Sequence, residues 1–456
     1  MLFDRRVVSA LVCTTIVLAA AVPALAQPRA AEYRLVAYHL GSGPLDNAAA
    51  TDAVVFSHVV EVPGAEWLRL TFNRAELGVD SHLRLTALED GARQHLYPAH
   101  LEQWEDTSAY FNGAAVLVEL VAGPGTSGNV VELGDVLAGT VPTVPETQCG
   151  PTDDRVPSDE PERARLLNIG CTAWMYNEES CFATAGHCVS SPGAVNIVEF
   201  NVPLSDPNGS INHPGPEDQY AVDKSEIPAN NGGVGNDWGI FRVFPNTETG
   251  LMPFEAQGAH LELATENPPV DDEVNIVGYG VDQGTANQTQ QISFGPITTS
   301  TTTVMQYRAD TEGGNSGSGV VWETTGEAVA IHTHGGCTTG GGANQGTAIS
   351  HPALQAAIEN FCPTGGGGGV ACEAVHVFKA VCKGSGANQY LLTGVLLEDT
   401  SYDGETVSFR VDGLDYDTTV VGRRAILEVP GATSGNHEVV LTDPFQCVPP
   451  KKAICP

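Results

Sequence analysis

Between residues 166 and 362 the apolar runs are of strand length: "NIVEF", "WGIFRVF", "VNIVGYG", "SGVVWE" and "AVAIHT", separated by clusters of Gly, Pro, Asn and Asp. Helical periodicity is absent until "HPALQAAIENFC" (351–362), where Leu354, Ala357, Ile358 and Phe361 fall on one face. Punctuation this dense breaks helices before they can bury an apolar stripe. An all-β barrel domain ending in one helix is expected here.

The flanks repeat the pattern in smaller units. "AVVFSHVVEV", "EWLRLTFNRA" and "AAVLVEL" predict a β-rich module over residues 27–148, either a pro-segment or a permanent accessory domain. The stretch 145–167 is rich in Pro, Asp, Glu and Arg and reads as an exposed connector, with Arg155, Arg163 and Arg165 open to a processing protease. "PTGGGGGV" (363–370) reads as a flexible linker. Beyond it, residues 371–456 alternate as four or more strands, which predicts a small β-sandwich of immunoglobulin-like type. With 456 residues, two or three domains are expected.

Residues 1–26 have the form of an export signal. Arg5 and Arg6 precede an apolar run from Val7 to Val22, and Ala24-Leu25-Ala26 supplies small residues for cleavage. The run is short for a membrane span, so no membrane insertion is expected once it is removed. Ten of the 11 cysteines then remain, six before the glycine run and four after it. Even numbers on each side of an exported chain predict disulfides, and no paired C-x₂-C spacing suggests zinc. The formal charge of −34 disfavours nucleic acid and anionic membranes as partners. A secreted, periplasmic or extracellular location is expected.

Ser316 stands among four glycines in "TEGGNSGSGV" (311–320), with Ser318 two positions on. Glycine is useful where backbone must approach a substrate closely. Ser316 alone is a poor nucleophile; it needs a base, and the base needs a carboxylate to orient it. "CFATAGHCV" (181–189) offers His187, and "GNDWGIFRV" (235–243) offers Asp237 at the mouth of an apolar strand, with Asp218 and Asp223 upstream as alternatives.

The order His187, Asp237, Ser316 along an all-β chain resembles the chymotrypsin/trypsin-like serine proteases. "TAGHC" resembles that family's "TAAHC", "NDWGIF" its "DIALL" segment, and "GGNSGSG" its "GDSGGP" in the "GNSGS" form of bacterial V8-like secreted members. "VNIVGYG" is similar to a further family strand. The resemblance spans about residues 166–362 and implies two six-stranded barrels over 149–362, with the triad in the cleft between them. It implies Ser316 as nucleophile, His187 as base and Asp237 as orienting acid, with the N–H groups of Gly314 and Ser316 as oxyanion hole. It also implies a Cys171–Cys188 disulfide beside the histidine. Asn315 replaces the aspartate that trypsin-like zymogens pair with a new amino terminus, and no "IVGG"-like start precedes "NIGCTAW", so that activation switch is expected to be absent.

Two specificity readings stay open, and of these Arg or Lys at P1 is the preferred one. Asp310 falls where trypsin-like members place the base of the S1 pocket, which would favour Arg or Lys at P1. "AIHTHGG" (330–336) resembles the pocket wall of glutamate-specific members, where His332 with Thr311, and with Thr333 and Gly335 in the wall, would hold an acidic side chain. His332-x-His334 with Cys337 could suggest a metal; a pocket-lining His334 and a disulfide-bonded Cys337 are the preferred reading, and no metal or cofactor is expected. The expected function is a secreted, monomeric serine endopeptidase acting on protein or peptide substrates. The alternative is a catalytically silent protease-like binding or adhesion protein.

Overall fold

The structure is a computed structural model that describes residues 32–140, 148–191, 193, 195–362, 374–384, 389–398, 400, 402, 406–443, 448 and 450–455. The export signal and the glycine linker lie outside the described residues. Residues up to Cys362 form one compact unit and Pro363–Pro456 a second.

Within the first unit, two antiparallel sheets each close on themselves. In the first barrel the strands run, in spatial order, Phe182–Thr184, Cys171–Met175, Arg163–Asn168, Val195–Glu199, Gln219–Asp223 and Asp237–Val243. Pairing of Asp237–Val243 with Phe182–Thr184 closes the ring, and Ala229–Asn231 is added outside it. The second barrel runs Gln291–Ser300, Glu273–Gly278, Gly319–Trp322, Ala328–His334, Asn344–Ala348 and Val304–Tyr307, closed by pairing of the last with the first. The two six-stranded barrels expected from the resemblance are present. Closure removes exposed strand edges, so short strands rich in Val and Ile suffice.

Each barrel has its own apolar filling. Trp174, Phe182, Phe200, Phe241 and Ile240 fill the first; Ile276, Ile297, Met305, Tyr307 and Val320 fill the second. The helix Pro352–Phe361 buries Leu354 and Ile358 against the first barrel's core, as its periodicity predicts. Disulfides join Cys149 to Cys337, Cys171 to Cys188 and Cys181 to Cys362.

The amino-terminal module is also two sheets. One contains Ala53–Glu61, Ala115–Ala122, His82–Ala87 and Arg93–Leu96; the other contains Tyr33–Val36, Val130–Gly139, Trp67–Glu76 and Phe111–Asn112, with Leu40–Gly41 on Val130–Gly139. Its core does not stop at the module's edge: Leu167, Ile197, Ile211 and Ala221 of the first barrel and its loop belong to the same apolar cluster.

The connector departs from expectation. Arg163 and Arg165 are 3% and 1% exposed and belong to a barrel strand. The Arg155 side chain is also buried. The Pro- and Asp-rich composition read as solvated, but each guanidinium finds a carboxylate: Arg155 with Asp153, Arg163 with Glu162, and Arg165 with Glu199. None of the three is open to a processing protease.

The second unit has a three-stranded sheet (Val375–Lys383, Tyr390–Leu397, Arg424–Pro430) and a four-stranded one (Leu414–Thr419, Thr406–Val411, Gly435–Asp443, Lys451–Cys455). Phe378, Leu391, Phe409, Val439 and Leu441 share one core between them, and Cys382 is bonded to Cys455.

Candidate active site

Strand register brings the first pair together. Thr184 lies opposite Gly239, so the turn after Phe182–Thr184 meets the start of Asp237–Val243. That turn, Gly186–Val189, carries His187, and the Cys171–Cys188 bond ties it to the neighbouring strand. His187 Nδ1 lies 2.7 Å from Asp237 Oδ2, and the His187 backbone N–H donates to Asp237 Oδ1 at 2.9 Å. Both oxygens of a fully buried carboxylate are thus engaged by one residue, which fixes the ring's orientation. Asp218 and Asp223 take no part: their carboxylates accept from Asn201 Nδ2 and from the Ser225 N–H.

The second barrel holds the aspartate from behind. The Asp237 N–H donates to Thr347 Oγ1 at 3.0 Å, and that hydroxyl donates to the Asp237 carbonyl at 2.8 Å. Thr347 is fully buried.

Ser316 is fully buried in the loop before Gly319–Trp322. Its carbonyl accepts the Thr172 N–H at 2.8 Å and lies 3.8 Å from Cys188 Sγ, beside the histidine. The next N–H, of Gly317, donates to the His332 carbonyl at 2.8 Å. Gly317 has φ 91°, and a Cβ there would stand 2.1 Å from the Thr172 carbonyl oxygen; Gly314 has φ 106°, and its Cβ would stand 2.5 Å from the Tyr279 carbonyl oxygen. Side chains at either position would push the loop off both walls. His187 Nε2 is buried and has no hydrogen-bond partner among the described residues.

The chemistry such a cluster can perform is proton removal from a hydroxyl by an imidazole whose other nitrogen is held by a carboxylate. Residues 171–331 match the family model described as a trypsin-like peptidase domain. The chain carries such a domain. Solved structures similar to it include a Glu endopeptidase in complex with MPD, at 19% identity, covering 46% of this chain and 98% of that one, with a TM-score of 0.37. A thermostable serine protease from an extremophilic microorganism has 18% identity, coverage of 42% and 92%, and a TM-score of 0.32. The protease Anisep from Arthrobacter nicotinovorans has 14% identity, coverage of 45% and 97%, and a TM-score of 0.35. No curated protein matches the chain.

Around the serine of the peptidase domain, the wall residues expected from sequence fall into two groups. His332 is fully buried; its Nδ1 lies 2.7 Å from the Tyr307 hydroxyl and its N–H donates to the Ser318 carbonyl at 2.8 Å. Burial pushes its pKa down to about 3, with His334 and His187 adding repulsion, so the ring is neutral. Its Nε2 is buried with no partner among the described residues. Thr311 Oγ1 accepts from Asn344 Nδ2 at 2.9 Å, and Thr333 Oγ1 donates to the Gln345 carbonyl at 3.3 Å. The His334 ring stands 6.4 Å from the His187 ring, edge to face, and its Nδ1 is 2.8 Å from Thr333 Oγ1. Gly335 is half-buried beside Gly336, whose N–H donates to Asn344 Oδ1 at 2.9 Å.

Asp310 belongs to neither wall. The Cys149 N–H donates to its Oδ1 and the Asp154 N–H to its Oδ2, both at 2.7 Å, and the residue is 3% exposed. Counting back from the serine gives the position of Asp310 along the loop; the direction of its carboxylate, toward these connector N–H groups, is set by the fold. The metal alternative at Cys337 falls, because that sulfur is bonded to Cys149. Likewise the sulfurs of Cys171 and Cys188, which lie close to His187, are bonded to each other rather than available as thiolates. Sequence reasoning missed Thr347, Tyr307 and Asn344. No local motif marks them, since each acts on a residue distant along the chain, Thr347 on Asp237 of the other barrel, Tyr307 on His332 and Asn344 on Thr311.

Proposed function

We propose that this chain is a serine endopeptidase that uses Ser316, His187 and Asp237. The carrying observation is the double engagement of the buried Asp237 by His187, in the same cluster as the Ser316 loop. Ser316 Oγ attacks the scissile carbonyl carbon while His187 Nε2 takes its proton. Asp237 keeps the other ring nitrogen protonated and stabilises the imidazolium that forms. The N–H groups of Gly314 and Ser316 receive the oxyanion, each contributing about 3–4 kcal/mol to the transition state. Collapse expels the amine, which leaves with the proton from His187 Nε2. Water, deprotonated by the same nitrogen, then attacks the acyl-enzyme, and the proton returns to Ser316 as the acid departs.

For P1 the acidic reading is favoured over the basic one. Both Asp310 oxygens are occupied by the connector, which leaves them poorly placed to meet Arg or Lys. His332 offers a buried Nε2 without a partner among the described residues. In this reading Tyr307 donates to Nδ1 and the proton rests on Nε2, which donates to the P1 carboxylate.

The test is a digest of a mixed peptide library with every cut mapped by mass spectrometry, and Ser316→Ala as control. Cuts after Glu that vanish in the control are expected. Cuts after Arg or Lys would overturn the pocket assignment while keeping the triad. Cuts unaffected by Ser316→Ala would overturn the triad, and no cuts at all would favour a silent binding protein. Because His332 gains no proton near neutrality, the Glu-to-Gln ratio is expected to stay flat from about pH 6 to 8.

A further inference from the structure

The connector does more than join two domains. From Cys149 to Pro157 it runs against the second barrel, and two of its three attachments bear on the loop Asp310–Ser316. At its start, the Cys149 and Asp154 N–H groups close on the two oxygens of Asp310, the first residue of that loop. The Cys149–Cys337 bond makes this end covalent.

In its middle, Arg155 is held by Asp153 at 2.6 Å and lies 3.8 Å from Asp282. Its Nη2 donates to the Val281 carbonyl at 3.0 Å. Val281 in turn donates its N–H to the Gly313 carbonyl at 2.8 Å. A Cβ built on Gly280 would lie 2.6 Å from Arg155 Nη1 and 2.1 Å from Asn315 Oδ1, so the guanidinium and the residue before the nucleophile bracket one glycine. At its end, Val156–Pro157 pairs with Gln291 and Ile292 of the barrel. The loop is therefore gripped at its first residue and at its turn, and the segment between them carries the Gly314 and Ser316 N–H groups.

We propose that Cys149–Pro157 is a permanent strap that sets the working geometry of the loop Asp310–Ser316, with Asp310 and Arg155 as positioning residues, so that the peptidase domain is active with this segment uncut. The proposal rests on the serine endopeptidase reading. It gives Asp310 a role that has nothing to do with substrate charge. It also explains how Asn315 can stand where no new amino terminus is captured: an internal arginine, already ion-paired, stands beside it.

Two measurements on the full chain test this. First, the purified protein is labelled with a fluorophosphonate probe, and the labelled polypeptide is mapped by mass spectrometry after reduction. Labelled chains that retain Cys149–Pro157 without a break support the strap. Labelled chains that all begin within or after this segment overturn it. Labelling absent from wild type, or persisting in Ser316→Ala, overturns the endopeptidase reading and the strap with it.

Second, Asp310→Ala, Asp310→Asn, Arg155→Met and Arg155→Lys are compared with wild type on peptides differing only at P1. Expected is a fall in kcat of about 10- to 100-fold for Ala and Met, below the ~10²–10³ of losing an oxyanion donor outright. Partial rescue is expected by Asn and Lys, with the ratio of P1 preferences unchanged. A changed P1 ratio with kcat retained would make Asp310 a specificity residue and overturn its positioning role. Unchanged kcat in both Ala and Met variants would overturn the strap's hold on the loop. Variants that fail to fold leave the labelled-chain map as the deciding result.

Discussion

A histidine, an aspartate and a serine could be picked from the sequence because each sits in a short run of unusual neighbours. Their fixation could not. Asp237 has its side chain on His187 and its backbone on Thr347, 110 positions away. Asp237→Asn keeps the size and the backbone contacts but offers an amide where a carboxylate accepted Nδ1–H. A fall in kcat of about 10⁴-fold with near-native stability is expected, read by steady-state kinetics and thermal melting. A second residue-scale prediction concerns Glu199. It is fully buried, accepts from Arg165 Nη2 at 2.7 Å, and lies 2.7 Å from His213 Nδ1. Burial works against its charge, but His213 and Arg165 together hold its pKa below the ordinary value, while burial pushes His213 down. Glu199→Gln strands the Arg165 charge in the interior. A loss of about 3–5 kcal/mol is expected from urea unfolding.

At the scale of elements, the barrel strands and the final helix were legible because their periodicities are local. The connector was not. Two of its arginines meet groups far along the chain, Arg165 with Glu199 34 positions on and Arg155 with the Val281 carbonyl 126 positions on, while the pairs Arg155–Asp153 and Arg163–Glu162 are local but buried by the fold, and composition alone counts all three as solvated. The last module offers an element-scale test of charge. His437 Nδ1 lies 2.5 Å from Asp412 Oδ2, across from one strand to the turn of its neighbour. The hydrogen bond to Asp412 raises His437 above its ordinary 6.5, and the same bond lowers Asp412 below its ordinary 3.8. The histidine's contribution is full below 6.5 and is lost as pH rises through its raised value. The aspartate's is full above 3.8 and is lost as pH falls through its lowered value. The Tm difference between wild type and Asp412→Asn for this unit is therefore expected to be greatest between about pH 4 and 6.5 and to shrink above that, and salt should reduce it.

For the whole molecule, the amino-terminal module is a structural partner of the first barrel. Tyr110 exchanges backbone hydrogen bonds with the Gln219 side chain, both at 2.9 Å, and the His213 backbone does the same with Asn112, both at 2.9 Å. The His213 ring is stacked on Tyr110 at 4.4 Å and meets the edge of Trp67 at 5.2 Å. Arg69 reaches across to Asn168 at 3.2 Å. A surface of paired amides and aromatic rings around a shared core would leave unsatisfied groups behind if the module departed. Trp67→Ala is expected to cost about 3–5 kcal/mol, and to lower the melting of module and peptidase domain together rather than in separate steps. Independent melting of the two would show that the shared core does not couple them. None of this joint was visible beforehand, because its residues are spread over more than a hundred positions and each is unremarkable alone.

The Cys181–Cys362 bond has a mechanical meaning. Cys362 is the last residue of the first unit, so tension applied through the chain beyond it enters that unit at a cross-linked residue. Its partner abuts the strand Phe182–Thr184 inside the first barrel, so the load passes to a closed sheet and the helix Pro352–Phe361 is bypassed. If the final module holds a surface, the first unit can be dragged or sheared from that end without the helix peeling away from the core it covers.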